Sequence, residues 1–346
     1  MRFLLLMILV LSVAVVPVSA TGVTVPTVPE SGEDWMPESP DSFAQGLWEI
    51  VKSAIGLIHP DIQQAASICM RVFGMVLLLS ILQSFPGSRK ETTQLIGAVS
   101  IGVLLLEHTN SLIHLGTQTV VEMVEYGKLL LPVMAGAMAA QGGVTASTAI
   151  YGGTVLFSTV MGTFVSEMLI PMVYAYLALS VANGAIGEDA LKKLRDFLKW
   201  LMIWGMKIVL YVFTGYIGIT GVVSGTTDAA ALKAAKLTIS GVVPVVGGIL
   251  ADASEAVLVS AGVVKNTAGI YGLLAILSIC IGPFFRIGIH YLLLKTTAAL
   301  CGIFGYKAAT DLIEDFSGAM GLVLGMTGSA CLLLLIGTVC FLKGVG

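Results

Sequence analysis

Apolar stretches that approach the length needed to cross a bilayer recur along the whole 346-residue chain. A membrane-spanning helix needs about 20 mostly apolar residues, and about 17 at the least. The stretches of this kind are 66–85, 92–107, 129–149, 150–170, 171–186, 200–223, 237–251, 267–285, 287–305 and 318–342. Because 92–107 and 237–251 are short enough to be re-entrant, we expect about seven to ten spans. The sequence therefore predicts an all-α fold, a polytopic membrane bundle with interrupted or re-entrant helices.

The composition supports this class and excludes several others. Charged residues make up only 11% of the chain and the mean hydropathy is +0.95, whereas soluble domains carry about 25% charged residues. A formal net charge of −3 gives no attractive field for a polyanion such as nucleic acid. The sequence contains no HExxH, GxSxG, P-loop or GxGxxG motif, and its histidines lack metal-ligand spacing. We therefore expect no enzyme, no cofactor and no metal.

The N-terminal 62 residues differ from the rest of the chain. Residues 1–20 have the basic start, apolar run and small-residue site of a signal peptide cleaved after Ala20, although an uncleaved first span is the alternative. Residues 21–62 are predicted to form an acidic extracytoplasmic segment. Its residues 43–58 are amphipathic, which favours a helix on the outer membrane surface over a short extension of the first span. The multi-spanning domain then occupies 63–346.

Short loops rich in lysine and arginine indicate which side of the membrane is cytoplasmic. Arg89-Lys90 follows the first apolar stretch, and Lys192, Lys193, Arg195 and Lys199 precede the sixth. Both basic stretches are expected in the cytoplasm, so the chain between them must cross the membrane an even number of times.

The spacing of two pairs of prolines suggests an internal repeat. The same number of residues separates Pro132 from Pro171 and Pro244 from Pro283. Transporter folds contain such repeats with interrupted helices, although chance matching in an apolar chain is the alternative.

Polar residues inside apolar surroundings are the best pointers to function, because they are costly in a bilayer. The richest region is 221–272, where charges coincide with helix breakers. Such breakers survive at membrane depth only when they are buried in protein or line water. This region predicts a pathway or a subunit contact, against the alternative of ordinary loops with interfacial charges. The candidates are Asp228, Lys233, Lys236, Pro244, Gly247, Gly248, Asp252, Lys265 and Asn266.

A second polar stripe follows one helical face through His114, Gln118, Glu122 and Glu125. This stripe indicates either the hydrophilic wall of a conduit or an interfacial helix with one solvent-exposed polar face. Pro132 and Glu167, which lie in apolar runs, are further candidates.

The 227–269 region resembles the stage III sporulation protein AE family. The residues that carry the resemblance are Thr227-Asp228, Lys233, Lys236-Leu237, Val243-Pro244-Val245-Val246-Gly247-Gly248, Asp252 and Lys265-Asn266-Thr267-Ala268-Gly269. Leu131-Pro132-Val133 followed by Gly142-Gly143-Val144 also fits. The region before the first span is short for the family.

The resemblance implies a multi-pass protein of the mother-cell membrane that engulfs the forespore. There it would be the membrane-embedded part of a secretion-like channel required for forespore maintenance and late forespore gene expression. The implied partners are membrane and ring-forming proteins of the same operon, a cytosolic secretion-type ATPase and a forespore membrane protein, with a homo-oligomer left open and nucleic acid excluded. Two alternatives remain: a secondary transporter with a substrate site at the repeat interface, and a structural membrane anchor for soluble partners.

Overall fold

The computed structural model describes residues 26–37, 42–85, 90–140, 144–219, 267–303 and 307–343, and these contain helices and no strand. The helices are α1 (Glu30–Glu33), α2 (Phe43–Leu57), α3 (His59–Ser84), α4 (Lys90–Ala140), α5 (Val144–Thr163), α6 (Ile170–Ile186), α7 (Asp189–Ile219), α8 (Thr267–Gly302) and α9 (Lys307–Lys343). A π-helical segment, Phe164–Leu169, joins α5 to α6 without a break. The predicted signal peptide and all nine candidates from Asp228 to Asn266 lie outside the described residues.

Six helical stretches of the described chain are long and apolar enough to cross a membrane. They are His59–Ser84, Glu91–Gly136, Ser147–Ile186, Asp189–Ile219, Gly269–Gly302 and Lys307–Leu342. The predicted all-α membrane bundle is therefore confirmed.

Three pairs of predicted spans are single helices in the structure. Stretch 92–107 is part of the same continuous helix as most of 129–149, so it is not re-entrant. The stretches 150–170 and 171–186 are continuous through the π-helical segment, and 267–285 continues into 287–305 despite Pro283. Polar residues lower the local hydropathy, but they do not end a helix when no turn or helix-breaking pair accompanies them.

Helix α9 is the centre of the bundle. Ninety-four per cent of its apolar window is buried, against 28% for α3, and it packs on α4, α5, α6, α7 and α8. Three of its buried hydroxyls are satisfied within the helix, since Thr327, Ser329 and Thr338 each donate to a carbonyl three or four residues earlier. Helix α4 approaches it closely at Gly116, where a Cβ atom would overlap Val323.

Two connections define one end of the bundle, which we call the hairpin end: α6 to α7, and α8 to α9. Helix α6 stops at Gly187, whose φ of 79° favours glycine and whose N–H donates to Asn183 O at 2.7 Å. The beginning of α4 lies beside this turn, because Gln94 Nε2 donates to Gly184 O at 3.1 Å. The first residue of α4, Lys90, and the basic residues that begin α7 therefore lie at the same end, as an even number of crossings requires; Arg89 lies outside the described residues.

The segment before α3 packs on the bundle. Helix α2 begins at the N-cap residue Ser42, whose hydroxyl accepts from Gln45 N at 3.3 Å. It packs against α8 and buries Phe43, Ile50 and Ala54.

Candidate functional site

A polar cleft of about 330 Å³ opens between α3, α4 and α8, which pack on one another. Its lining residues are Asp61 and Gln64 of α3, His108, Ser111, Leu112, His114, Leu115 and Gln118 of α4, and Arg286 and His290 of α8. Only two of these side chains are apolar, which is unusual in so apolar a bundle.

The helical period of α4 builds one wall of this polar cleft. His108, Ser111 and Gln118 recur at spacings of three or seven residues and therefore share a face. Ile113 and Val120, on the opposite side, are buried in the core. The amphipathic middle of α4 thus separates an apolar core face from a polar cleft face.

An ion pair crosses the cleft from α3 to α8. Arg286 Nε donates to Asp61 Oδ1 at 2.9 Å, with half of the arginine side chain exposed and the aspartate largely covered. Pro60, in the first turn of α3, starts the helix that carries Asp61. The arginine stays accessible from the cleft while its charge is compensated.

Two histidines from distant parts of the chain meet at the floor of the cleft. The Nε2 atoms of His108 and His290 lie 2.6 Å apart. His290 Nδ1 lies 2.8 Å from Arg286 O, and because a carbonyl can only accept, this nitrogen carries the proton. With both rings neutral, His108 Nε2 is then the donor to His290 Nε2. One hydrogen-bonded chain therefore connects α4, His290 and the backbone of α8.

Apolar side chains close the cleft toward the hairpin end. Beyond the histidines, Ile68, Leu105 and Leu294 leave a void of only about 10 Å³. Among the described residues, the cleft does not continue to that end of the bundle.

At the opposite end of the cleft, the polar contacts of α4 continue by one turn. Gln118 Nε2 donates to Glu122 Oε1 at 2.9 Å, and Ser31 Oγ donates to the other oxygen, Glu122 Oε2. Glu122 therefore links the cleft wall to the segment that precedes α2.

The six predicted site residues that the structure describes have different positions. His114 and Gln118 line the cleft, and Glu122 adjoins it. Glu125 and Pro132 are exposed farther along α4, and Glu167 is exposed on the π-helical segment, away from the cleft. Pro171, four residues later, has no N–H to offer the carbonyl of Glu167, which accounts for the irregular turn.

Sequence reasoning did not identify Asp61, His108, Arg286 or His290 as site residues. Each is separately unremarkable, because a single histidine or long basic side chain near a span can be satisfied locally or can reach the headgroups. The available signal was the presence of Arg286 and His290 four residues apart in an apolar stretch.

A second, charged pocket of about 400 Å³ lies at the hairpin end. Arg195 forms a buried ion pair with Asp315, whose other oxygen accepts from Tyr176 OH at 3.3 Å. Lys295 pairs with Glu314 at the rim. Arg195 was expected in a basic loop, but α7 begins at Asp189 and turns this side chain into the bundle.

The chemistry of the cleft suits hydrated or polar solutes. Within the described residues, no group of three or more histidine, cysteine, aspartate or glutamate side chains could hold a metal ion. The cleft instead offers a cation, a carboxylate, imidazoles and amides, which can hydrogen-bond water or a polar chain.

Fold and cleft together define a polytopic α-helical membrane protein with a polar cleft between three of its helices. The sequence profile described as Stage III sporulation protein AE matches residues 39–344, so the chain belongs to that family. It is 27% identical over 258 residues to the stage III sporulation protein AE of Bacillus subtilis (strain 168), a match that covers 72% of this chain. The match covers 61% of the relative, so the chain spans about three-fifths of that protein's length. No solved structure matches.

Proposed function

We propose that this protein is the membrane-embedded component of a secretion-like channel between mother cell and forespore, required for forespore maintenance and late forespore gene expression. Membership of a stage III sporulation family supports the process. The polar cleft between α3, α4 and α8 is the observation that supports a conduit.

Charged side chains in a membrane protein carry a free-energy cost, and this cost supports a conduit. A charge costs about 3 kcal/mol at the centre of a bilayer on insertion scales, and less toward the interface. Arg286 and Asp61 face each other across the cleft, and His290 is 3% exposed at its floor. A simple anchor could have apolar residues at the positions of Asp61 and Arg286, since a partly exposed ion pair contributes only about 0–1 kcal/mol to stability. The polar lining is therefore better explained by the passage or binding of polar material.

The proposed pathway continues into the region 228–266. Its charges and helix breakers remain the primary predicted pathway or contact residues. The proposed partners are membrane and ring-forming proteins of the same operon, a cytosolic secretion-type ATPase and a forespore membrane protein. The proposed location is the multi-pass position in the engulfing membrane, after cleavage of the signal peptide.

Two basic residues of α8 provide a matched test. Arg286 and Lys295 are equally half-exposed, and each pairs with one acidic side chain, but only Arg286 lines the polar cleft. We expect Arg286→Gln to reduce heat-resistant spores strongly in a host that lacks its own AE protein, with normal amounts of protein in the membrane. Lys295→Gln should sporulate normally.

The reverse pattern would contradict the proposal. If Lys295→Gln blocks sporulation and Arg286→Gln does not, the hairpin end is the important surface and the protein is better described as an anchor for soluble partners. If neither variant has an effect, the cleft has no role in sporulation. Asp228→Ala and Lys236→Ala test the predicted continuation in the same assay.

Cysteine accessibility tests the cleft directly. In a background without the five native cysteines, we expect Ser111→Cys and His114→Cys to react with a small water-soluble thiol reagent. Ile113→Cys, at a site that is 1% exposed, should be protected. Equal protection at all three positions would contradict a wet cleft.

A secondary transporter is the second candidate, favoured by the size of the cleft. Its volume of about 330 Å³ falls within the 300–1,000 Å³ typical of small-molecule sites. Substrate-dependent counterflow in proteoliposomes would support this function, and Arg286→Gln should then abolish the counterflow.

A further inference from the structure

The short segment 28–36, which we call the strap, lies against the bundle beside the polar cleft. It contains the single turn of α1 and contacts α8. Gly32 is buried at this contact: a Cβ atom there would lie 3.0 Å from Ser278 Oγ and 3.1 Å from Ile279 Cγ1. Glycine is therefore the residue that lets the strap approach α8 this closely.

A second close approach fixes the other half of the strap. The indole ring of Trp35 covers Gly282 of α8, where a Cβ atom would lie 2.8 Å from both Cε2 and Nε1. Val28 and Met36, at the two ends of the strap, pack against the hydrophobic core. The strap thus has a complementary seat on α8, with a glycine on each side of the contact.

One polar contact ties the strap to α4. Ser31 Oγ donates to Glu122 Oε2, while Gln118 of the cleft wall donates to Glu122 Oε1. The two oxygens of one carboxylate therefore hold the strap and the cleft wall at the same time.

These contacts place the strap at the end of the cleft that is farther from the hairpin end. Glu122 is one helical turn beyond Gln118 on α4, and Gly282 is one turn before Arg286 on α8. The strap therefore covers the same two helices that form the cleft, one turn farther from the hairpin end. Ser278, a further turn along α8, is fully buried at this position.

The strap has little secondary structure of its own to hold it in its seat. Its helix has only four residues, far below the length at which a helix is stable alone. Prolines at 29 and 37 flank that turn and limit its extension. Segments held by few apolar contacts open at low free-energy cost.

We propose that residues 28–36 form a displaceable lid on the polar cleft, and that its release extends the cleft along α4 and α8 to Glu122 and Ser278. The proposal deepens the proposed function and rests on it, because a lid regulates access only if the cleft is a pathway. Glu122 acts as the latch, and Trp35 and Gly32 form the seat.

The test uses a reporter beneath the lid. Ser278→Cys, in the full chain without native cysteines, should react slowly with a maleimide in detergent solution while the lid is seated. Trp35→Ala removes the indole from Gly282, and Gly32→Leu prevents close approach from the side of the strap. Both changes should accelerate the labelling about tenfold, a loss of about 1.4 kcal/mol of seating free energy.

Trp48→Ala is the matched control, because Trp48 lies on α2 with 68% of its surface exposed. It should leave the labelling rate unchanged. The proposed lid is contradicted if Ser278→Cys stays protected in both strap variants. It is also contradicted if Ser278→Cys reacts as fast as an exposed cysteine when the strap is unchanged. The labelling assay does not depend on sporulation, so it tests the lid separately from the proposed function. If the strap variants accelerate labelling but Arg286→Gln sporulates normally, only the proposed function is contradicted.

Discussion

The buried ion pair at the hairpin end should be sensitive to removal of its acid. Asp315 has 12% of its side chain exposed and Arg195 has 8%, so the pair is almost completely desolvated. We expect Asp315→Ala to destabilise the protein strongly, because it leaves the arginine charge buried without its main partner.

The structure sets the size of this effect. Breaking a buried pair costs about 3–5 kcal/mol. Arg195 retains Asp196, whose Oδ1 accepts from Nε at 3.0 Å and from a terminal nitrogen at 2.8 Å, so the ionic loss falls at the lower end. Tyr176 loses its acceptor as well, at a cost of about 1 kcal/mol. The expected decrease in the free energy of unfolding is therefore about 3–4 kcal/mol.

Denaturant titration of the purified protein in detergent, followed by tryptophan fluorescence, measures this decrease. Asp196→Ala is the control, since that side chain is 56% exposed, and an exposed pair contributes about 0–1 kcal/mol. The double variant Arg195→Met/Asp315→Leu removes both charges and should recover most of the loss.

Two results would refute this reasoning. One is an Asp315→Ala variant that loses no more stability than Asp196→Ala. The other is a double variant that is less stable than Asp315→Ala, because the buried charge would then not be the cause of the loss.

Three further predictions concern stability. Gly116→Ala should destabilise the contact between α4 and α9 by about 1–3 kcal/mol, because its methyl group would overlap Val323; near-parental stability would contradict the packing. Gly74→Ala, with no atom within 4 Å of the new Cβ, should be neutral or up to about 1 kcal/mol more stable, and a clear loss would show that α3 is packed there. Glu314→Gln should change stability by about 0–1 kcal/mol, because Lys295 and Glu314 are both half-exposed. The same denaturant titration measures all three.

The sequence alone predicts the class of the fold and several of its parts. The apolar run at 318–342 predicts a span, and the structure contains α9 there. The spacing of His114, Gln118 and Glu122 predicts a common polar face, and the structure places these residues in or beside the cleft. Hydropathy and helical period belong to one continuous segment, so they can be determined without knowing the neighbours of that segment.

The boundaries of the spans were predicted less well, because hydropathy alone does not show whether a polar stretch is a loop or part of a helix. Polar residues between 92–107 and 129–149 lower the hydropathy, which suggested two helices where α4 is one. Whether a polar stretch lies in a loop or lines a cleft depends on the helices that pack beside it. Residues 108–118 form one wall of a cleft because α3 and α8 pack beside this part of α4.

Only the tertiary structure decided which polar residues meet. His108 and His290, Asp61 and Arg286, and Arg195 and Asp315 are pairs from distant parts of the chain. The sequence fixes the chemistry of each partner, but the pairing depends on the packing angle and register of two helices, which are set by many small apolar contacts spread over the bundle. For the same reason, composition marked the strap only as part of an acidic segment, while its seat exists because Gly32 of the strap faces Ser278 and Ile279, and Gly282 of α8 faces Trp35, in the folded protein.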